Sequence, residues 1–463
     1  MTITTSAITE NALRVFLRGG DMTSVIAALK GLPPADLVHT IANLEIGEIA
    51  RIIAALSPDL AARTFGYFEP AQQVALARAL PRACLQALFT DMPHDERADL
   101  WKSLPENERD ALLPGLAHAI REDVRRLAAY AEGTAGSIMT SDYCALDPDI
   151  TARKALEVLR REAPDRETIY DSYVLDGQRR LLGVVSLRDL LLAPDDRLVC
   201  DIMVREVIFA RVEDSKETVA EKIADYDLLA VPVTNGGGAM VGIVTVDDAI
   251  DVAELVQARR LTQFGGTAAL TGPDLDLRQS SFRQLFKVRA FWLVVLVFFG
   301  GITSTFVAAQ EELLSQVIIL AAFIAPIVDM GGNTGSQSAT LVLRGMAIGQ
   351  FELRWRDVWF VIRREIPVAL ALGAVIALLE VVLAHFSKGV GGDVLLVVGL
   401  AMACCTILGG VIGALLPFAA RWVGTDPATL SSPLITSIMD LLGVFIYFGL
   451  ANAFLSDMLV AGG

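Results

Sequence analysis

Two carboxylates stand inside long apolar stretches in the C-terminal part of the chain. Asp440 comes about ten residues into the stretch that begins at Leu430, which places it roughly 15 Å deep in a helix rising 1.5 Å per residue. An ionised carboxylate at that depth must face water, a cation or a partner charge. The alternative is a protonated Asp440 that bonds to a neighbouring helix. Asp329 carries the same two interpretations.

Eight small or polar residues follow Asp329, from Gly331 to Ser338, and they do not suit a lipid-facing surface. Either they pack tightly against another helix, as small residues do, or they break the helix and line a watery cavity with backbone carbonyls. Asn333 lies in this stretch and is a candidate ligand. Prolines that could bend the spans stand at Pro326, Pro417 and Pro433.

The carboxylate in the last span has no Lys or Arg in the same span, which favours a path for cations over one for anions. One chain offers few acids, so a homodimer with its last spans on the two-fold axis would bring each acid opposite its copy. Hard divalent ions prefer oxygen ligands, and magnesium keeps several of its waters. Facing carboxylates around a hydrated ion would therefore suit Mg²⁺, whereas Cys404 and Cys405 are interpreted as packing residues.

Five apolar stretches are long enough to cross a hydrocarbon core of about 30 Å. Their predicted bounds are Ala290–Ala308, Leu313–Leu343, Val358–Ala384, Val394–Ala419 and Leu430–Phe454. Basic residues crowd on one side of these spans, which predicts a cytosolic N-terminus and an outside C-terminus in the cytoplasmic membrane. A mean hydropathy of +0.50 with a formal charge of −15 indicates a lipid-embedded part joined to an acidic soluble part. The acidic balance disfavours nucleic acid as a partner.

Residues 1–131 predict an α-helical superhelix. Prolines recur at Pro58, Pro70, Pro81, Pro93 and Pro105, eleven or twelve residues apart. Proline is well tolerated at the first position of a helix, so each unit is predicted to be one short helix plus a turn. Such a unit cannot bury its own apolar face and must stack on its neighbours.

A mixed strand and helix pattern begins near Gly136 and repeats after about sixty residues. Ser-Ile-Met-Thr at 137–140 is echoed by Asp-Ile-Met-Val at 201–204, and the strand at 182–189 by the strand at 241–248. Two such copies resemble tandem CBS domains, predicted at 132–195 and 196–252. By that resemblance the pair senses ligands, often adenine nucleotides or ions, and dimerises. Whether ATP binds here stays open.

These parts together resemble the MgtE family of magnesium channels and transporters over essentially the whole chain. The most specific stretches are GGNTGSQSAT at 331–340, GTDPATLSSPLITSIMDLLG at 424–443 and VGIVTVDDAIDV at 241–252. The resemblance implies a multi-domain membrane protein in which a connecting plug helix at 253–285 joins the CBS pair to a five-helix transmembrane domain at 286–463.

The same resemblance implies a homodimeric, magnesium-selective, channel-like transporter that cytosolic Mg²⁺ gates through the CBS and N-terminal domains. Asp440 then corresponds to the pore aspartate that holds hydrated Mg²⁺, and Asp426 to the acid at the cytosolic mouth of the pore. The candidate metal-binding acids of the CBS pair and plug helix are Glu217, Asp227, Asp247, Asp248, Asp251 and Glu254. A broader carrier of Mn²⁺ or Co²⁺ and a non-conducting, membrane-anchored sensor are the alternatives. An enzyme is not expected, because the sequence carries no nucleophile–base pair or Walker-type loop.

The sequence departs from the family pattern at two places. Arg259 and Arg260 stand in the plug helix where acids are expected, and Glu254 alone remains of that acidic run. These arginines are expected either to pair with the acids of Asp247–Asp251, which would make closure depend less on Mg²⁺, or to face solvent or lipid headgroups. Ser432 occupies a position where relatives often have Asn or Gly, so one pore-lining contact is expected to differ.

Overall fold

The computed structural model describes residues 13, 15–17, 19–112, 116–267, 275, 277, 280–427 and 432–461. The chain forms two compact units, Met1–Leu255 and Val256–Gly463. The first unit holds short helices followed by two small sheets, and the second holds long apolar helices. The predicted order of a helical domain, a repeated strand–helix domain and five candidate membrane helices is confirmed.

Short helices stack at the start of the first unit. Those in the described residues are α1 (Met22–Leu29), α2 (Pro34–Ile41), α3 (Ile46–Ala55), α4 (Pro58–Gly66), α5 (Pro70–Ala79), α6 (Arg82–Asp91), α7 (His94–Ser103), α8 (Glu106–Leu112) and α9 (His118–Ala128). From α1 to α5 each helix packs on the helix two places along, and α7 packs on α9. This is the stacking that the proline repeat predicts, and it buries Ile49, Phe65 and Phe89 completely.

The prolines mark the helix starts with a small difference from the prediction. Pro58 and Pro70 are the first residues of α4 and α5, as predicted. Pro81, Pro93 and Pro105 instead stand one residue before α6, α7 and α8. Both positions suit proline, because the first N–H groups of a helix have no partner within it.

Two copies of a three-stranded sheet complete the first unit. The first copy contains α10 (Ala135–Ile138), β1 (Tyr143–Leu146), α11 (Ala152–Glu162), β2 (Thr168–Leu175), β3 (Leu181–Ser186) and α12 (Leu187–Leu192). The second contains α13 (Val199–Ile202), β4 (Ala210–Arg211), α14 (Lys216–Asp225), β5 (Ala230–Thr234), β6 (Met240–Thr245) and the first half of α15 (Val246–Phe264), which continues into the second unit from Val256. In each copy the first strand pairs parallel with the second, which pairs antiparallel with the third.

The repeated methionine of one copy lies on the repeated glycine of the other. A Cβ at Gly242 in β6 would come within 2.8 Å of the Met139 sulfur, and one at Gly183 in β3 within 2.7 Å of the Met203 sulfur. The backbones of these segments are also hydrogen-bonded, since the N–H of Thr140 donates to the carbonyl of Ile243 and the N–H of Ile243 donates to the carbonyl of Thr140. The two copies are therefore interlocked, which explains why both motifs carry glycine where any side chain would clash.

Long helices make up the second unit. They are α16 (Phe282–Ala308), α17 (Glu311–Gln316), α18 (Ala321–Ala347), α19 (Trp355–Lys388), α20 (Gly392–Trp422) and α21 (Ser432–Ala461). The predicted span near Leu313–Leu343 corresponds to a candidate span at Ile318–Ala347, since α17 ends at Gln316 and a 3-10 turn at Ile318–Leu320 precedes α18. The predicted start of the last span at Leu430 lies outside the described residues, as do 268–274 of the predicted plug segment.

Glycines bring the backbones of α18 and α20 into direct contact. Helix α18 runs unbroken through Gly331–Ser338, so the broken-helix alternative is wrong and the packing alternative is confirmed. A Cβ at Gly409 would come within 2.4 Å of the Gly331 carbonyl oxygen, and one at Gly413 within 2.1 Å of the Gly335 carbonyl oxygen. Glycines four residues apart on each helix permit this approach. The resulting van der Waals contacts stabilise the helix pair, because the hydrophobic effect does not drive helices together within lipid.

Gly413→Ala should destabilise the membrane unit, because the added methyl group must push α20 away from backbone atoms that cannot rotate aside. Overpacking of this kind costs about 1–3 kcal/mol. Thermal unfolding of the purified chain in detergent would measure the loss. Gly449→Ala is the matched control, since a Cβ there meets nothing within 4 Å. Equal unfolding temperatures for the two variants would contradict the contact.

Candidate ion-binding sites

Asp440 lines an open cavity of the membrane unit. The cavity has a volume of 520 Å³ and lies between α16, α18 and α21. Its wall is apolar apart from Asp440 and the hydroxyls of Thr303, Ser304 and Ser437. Among the described lining residues Asp440 carries the one formal charge, and its side chain is half-buried. The expected carboxylate therefore opens onto space that can hold water or an ion.

Polar side chains of α18 and α21 continue from this cavity along one seam. The polar seam consists of Asp329, Asn333 and Ser336 on α18 with Ser432, Thr436 and Asp440 on α21. Residues four apart lie on one face of a helix, which aligns Asp329 with Asn333 and Ser432 with both Thr436 and Asp440. The Asn333 amide donates to Asp329 Oδ2 at 2.9 Å, and the Ser432 hydroxyl donates to Ser336 Oγ at 3.0 Å. Asp329 and Asp440 are close enough for their charges to repel.

The seam offers oxygen atoms without a compensating basic group among its members. Carboxylates, hydroxyls and an amide suit a hard cation such as Mg²⁺ or Ca²⁺ and do not suit a soft metal. Within the described residues, groups of three or more His, Cys, Asp or Glu side chains that could enclose an ion are absent. Two carboxylates with hydroxyls between them instead fit an ion that keeps its water shell and is held through those waters.

Glu365 is a membrane carboxylate that sequence reasoning overlooked. It lies in α19, and its Oε1 accepts a hydrogen bond of 2.6 Å from the Ser338 hydroxyl of α18. The same oxygen would be 3.1 Å from a Cβ at Gly410 in α20, so the side chain fits against three helices. The sequence alone could have identified Glu365, because it is an acidic residue within the predicted span Val358–Ala384. Asp426, by contrast, is exposed in the segment after α20.

Acids of α7 and α15 converge in the soluble unit. The acid cluster comprises Asp95, Glu96, Glu167, Asp247 and Asp248, whose charges act on one another. Burial raises the pKa of Glu96 to about 8 and that of Glu167 to about 7, and the neighbouring carboxylates add to the rise. Burial and the charge of Asp95 also raise the pKa of Asp248. Glu96 Oε2 is buried without a hydrogen-bond partner among the described residues.

The other predicted acids of the CBS pair lie apart from one another along the chain. Glu217 is in the first turn of α14, and Asp227 follows that helix in a left-handed conformation with φ of 52°. Asp251 and Glu254 are exposed on α15, and partial burial together with the charges of Glu254 and Asp247 raises the pKa of Asp251. The structure thus brings Asp247 and Asp248 together with acids of the N-terminal domain, which sequence reasoning did not select.

Arg259 and Arg260 lie on the same helix as Asp247, Asp248 and Asp251, and their pairing with these acids stays a prediction. Helix α15 is continuous from Val246 to Phe264. The alternative, that these arginines face solvent or headgroups, stays a prediction.

His94 joins the N-terminal domain to the first sheet copy beside the acid cluster. Its Nδ1 lies 2.6 Å from Asp123 Oδ2 and 2.6 Å from Ser141 Oγ, and its Nε2 lies 2.9 Å from Asp142 Oδ2. The Ser141 hydroxyl donates to Asp123 Oδ1 at 2.9 Å. Burial alone would lower the pKa of His94, but the two carboxylates outweigh it and raise the pKa to about 9. The imidazolium therefore ties three chain segments together.

His94→Gln should destabilise the unit Met1–Leu255, because the charged ring is replaced by a neutral amide between two carboxylates. The folded pKa of about 9 exceeds the ordinary value, so the stabilisation is complete below about pH 6.5 and is lost as the pH rises through 9. We expect a loss on the order of 2–3 kcal/mol at pH 6.5 that shrinks toward pH 10, measured by urea unfolding. His118→Gln is the control, since His118 is 76% exposed. A difference between wild type and His94→Gln that does not change with pH would contradict the imidazolium.

Three family models match the chain. The model of the MgtE divalent cation transporter matches residues 324–450, which include most of α18, all of α19 and α20, and most of α21. The MgtE intracellular N domain matches residues 32–133. The CBS domain matches residues 135–196 and 199–254, the two sheet copies.

Related proteins match nearly the full length. The magnesium transporter MgtE of Thermus thermophilus is 35% identical over 454 residues, covering 96% of this chain and 98% of that protein. The magnesium transporter MgtE of Bacillus subtilis is 30% identical over 446 residues, covering 96% and 97%. A solved cytosolic domain of the Mg²⁺ channel MgtE in complex with ATP is similar with 34% identity and a TM-score of 0.51, over 52% of this chain and 99% of that one. With such relatives, and with the polar seam and CBS pair in place, the chain belongs to the MgtE family of magnesium transporters.

Proposed function

We propose that this chain conducts hydrated Mg²⁺ across the cytoplasmic membrane along the polar seam, with Asp440 as the main ion-binding group. The observation that carries the proposal is the opening of the Asp440 carboxylate onto a 520 Å³ cavity. An ion with six waters occupies about 180 Å³, taking roughly 30 Å³ for each water. The cavity is therefore large enough for the ion without loss of its water shell.

Two copies of the chain form the conducting pore in this proposal. One chain supplies two carboxylates on the seam, Asp329 and Asp440, and both repel each other when no cation is present. A two-fold axis along α21 would place a second Asp440 opposite the first and double the negative charge around the ion. The crowding of basic residues near Arg289, Arg354 and Arg421 supports a cytosolic N-terminus and an outside C-terminus.

Cytosolic Mg²⁺ closes the pore through the acid cluster in this proposal. The raised pKa values of Glu96 and Glu167 mean that these carboxyls resist ionisation in each other's company. A divalent cation would relieve that repulsion and would give the buried Glu96 Oε2 a partner. Cation binding would therefore favour the state in which α7 packs on the CBS pair. Hydrated Mg²⁺ fits such a set of loosely spaced oxygens. We also propose ATP as a ligand of the CBS pair, supported by the ATP complex of the related cytosolic domain.

Asp440→Asn should reduce Mg²⁺ uptake by more than about tenfold, because the amide keeps the shape of the side chain but removes its charge from each copy. Uptake into proteoliposomes that hold a Mg²⁺-sensitive dye would measure it, with Mn²⁺ and Co²⁺ in parallel to test selectivity. Asp393→Asn is the matched control, since Asp393 is an exposed acid in the first turn of α20. An Asp440→Asn variant that transports Mg²⁺ with wild-type rate and affinity would refute the role of Asp440 in the pore. Absence of uptake by both wild type and Asp440→Asn would favour the non-conducting sensor.

The purified protein should have the mass of two 49.7 kDa chains in mild detergent. The physical reason is that a single seam has too little negative charge to escort a divalent ion through hydrocarbon. Light scattering coupled to size-exclusion chromatography would give the mass. A monomer that still conducts Mg²⁺ in single-channel recordings would disprove the shared pore.

A further inference from the structure

A second concave site of the membrane unit lies away from the polar seam. It is a groove of 270 Å³ between the start of α19 and the end of α20. Val358, Leu415, Phe418 and Ala419 form an apolar wall, and Arg354 is the charged residue among the described lining. We propose that this groove binds one anionic phospholipid, with an acyl chain along the wall and the phosphate at Arg354.

Two tryptophans support a headgroup-level position for the groove. Trp355 and Trp422 line it from the two helices and are 81% and 76% exposed. Tryptophan is enriched where hydrocarbon meets headgroups, because its ring is apolar and its N–H needs a polar partner. The apolar wall thus begins at the depth where an acyl chain begins, and Arg354 stands at the depth of the phosphate.

The charge around the groove favours an anionic headgroup. Arg354 lines the groove, and Arg356 and Arg421 are the basic residues adjacent in the chain to the lining residues Trp355 and Trp422, against the acids Glu352 and Asp357. Arg354 pairs with Glu352 at 2.7 Å, but both side chains are more than half exposed. An exposed pair of this kind is weak, and a guanidinium has five N–H donors, so Arg354 can bind a phosphate as well. A zwitterionic lipid would bring a positive charge toward the same arginines.

The proposal is tested with the full-length chain, stripped of lipid in detergent and titrated by native mass spectrometry. The probes are phosphatidylglycerol, phosphatidylcholine and glycerol phosphate, the last of which has the anion without the acyl chains. Arg354→Gln removes the headgroup contact, and Ala419→Phe fills the groove from an exposed position. Arg283→Gln is the control, because it removes an exposed arginine from the start of α16, which does not line the groove.

Wild type and Arg283→Gln should bind phosphatidylglycerol more tightly than phosphatidylcholine. Arg354→Gln should bind phosphatidylglycerol about fivefold more weakly, the contribution of one basic residue near an anionic lipid, with no change for phosphatidylcholine. Ala419→Phe should lose binding of the lipid, and Ala419→Leu serves the same purpose if the larger residue prevents folding. Unchanged phosphatidylglycerol affinity in both groove variants overturns the site. Displacement of the lipid by equimolar glycerol phosphate overturns the assignment to a lipid.

Discussion

The backbones of α18 and α20 touch through two glycine pairs, and the polar face of the membrane unit depends on that contact. The backbone carbonyls of Gly331 and Gly335 leave no room for a Cβ at Gly409 or Gly413. The neighbouring Gly332 packs in the same manner on Thr436 of α21, where a Cβ would come within 2.8 Å of the threonine methyl group. Helix α18 thus packs closely between α20 and α21 through its glycines, and its remaining face carries the polar residues.

That arrangement explains how carboxylates are tolerated inside an apolar unit. Asp329 is bonded by Asn333 of its own helix, and Asp440 opens onto the cavity, so neither carboxylate is pressed against an apolar wall on every side. Glu365 is stabilised differently, because its carboxylate accepts a hydrogen bond from the Ser338 hydroxyl and packs against the backbone at Gly410. Polar atoms in hydrocarbon need partners, and each of these three acids has a different kind.

Neighbouring residues of α7 in the soluble unit have opposite electrostatic surroundings: His94 lies between carboxylates of opposite charge, whereas Asp95 and Glu96 lie beside carboxylates of like charge. His94 is an internal cation whose ring joins Asp123 and Asp142, and it needs no external ion. Asp95 and Glu96 face further carboxylates without such a cation among the cluster, and burial together with these neighbours raises the pKa of both. The contacts of His94 join the N-terminal domain to the first sheet copy, whereas the clustered carboxylates repel one another at the same interface.

The sequence by itself determined the order of the domains, the number of candidate spans and the importance of Asp440, because hydropathy, proline spacing and a repeated motif are local patterns. It could not decide between a broken helix and close packing at Gly331–Ser338, since that choice depends on whether another backbone lies alongside. It missed Glu365 and the acids of α7, whose significance comes from partners distant in the chain. It also read the Met and Gly motifs as two repeats, whereas the fold crosses them so that each methionine covers the other copy's glycine. Tertiary structure decided these points, because contact and burial, unlike residue type, are properties of two segments at once.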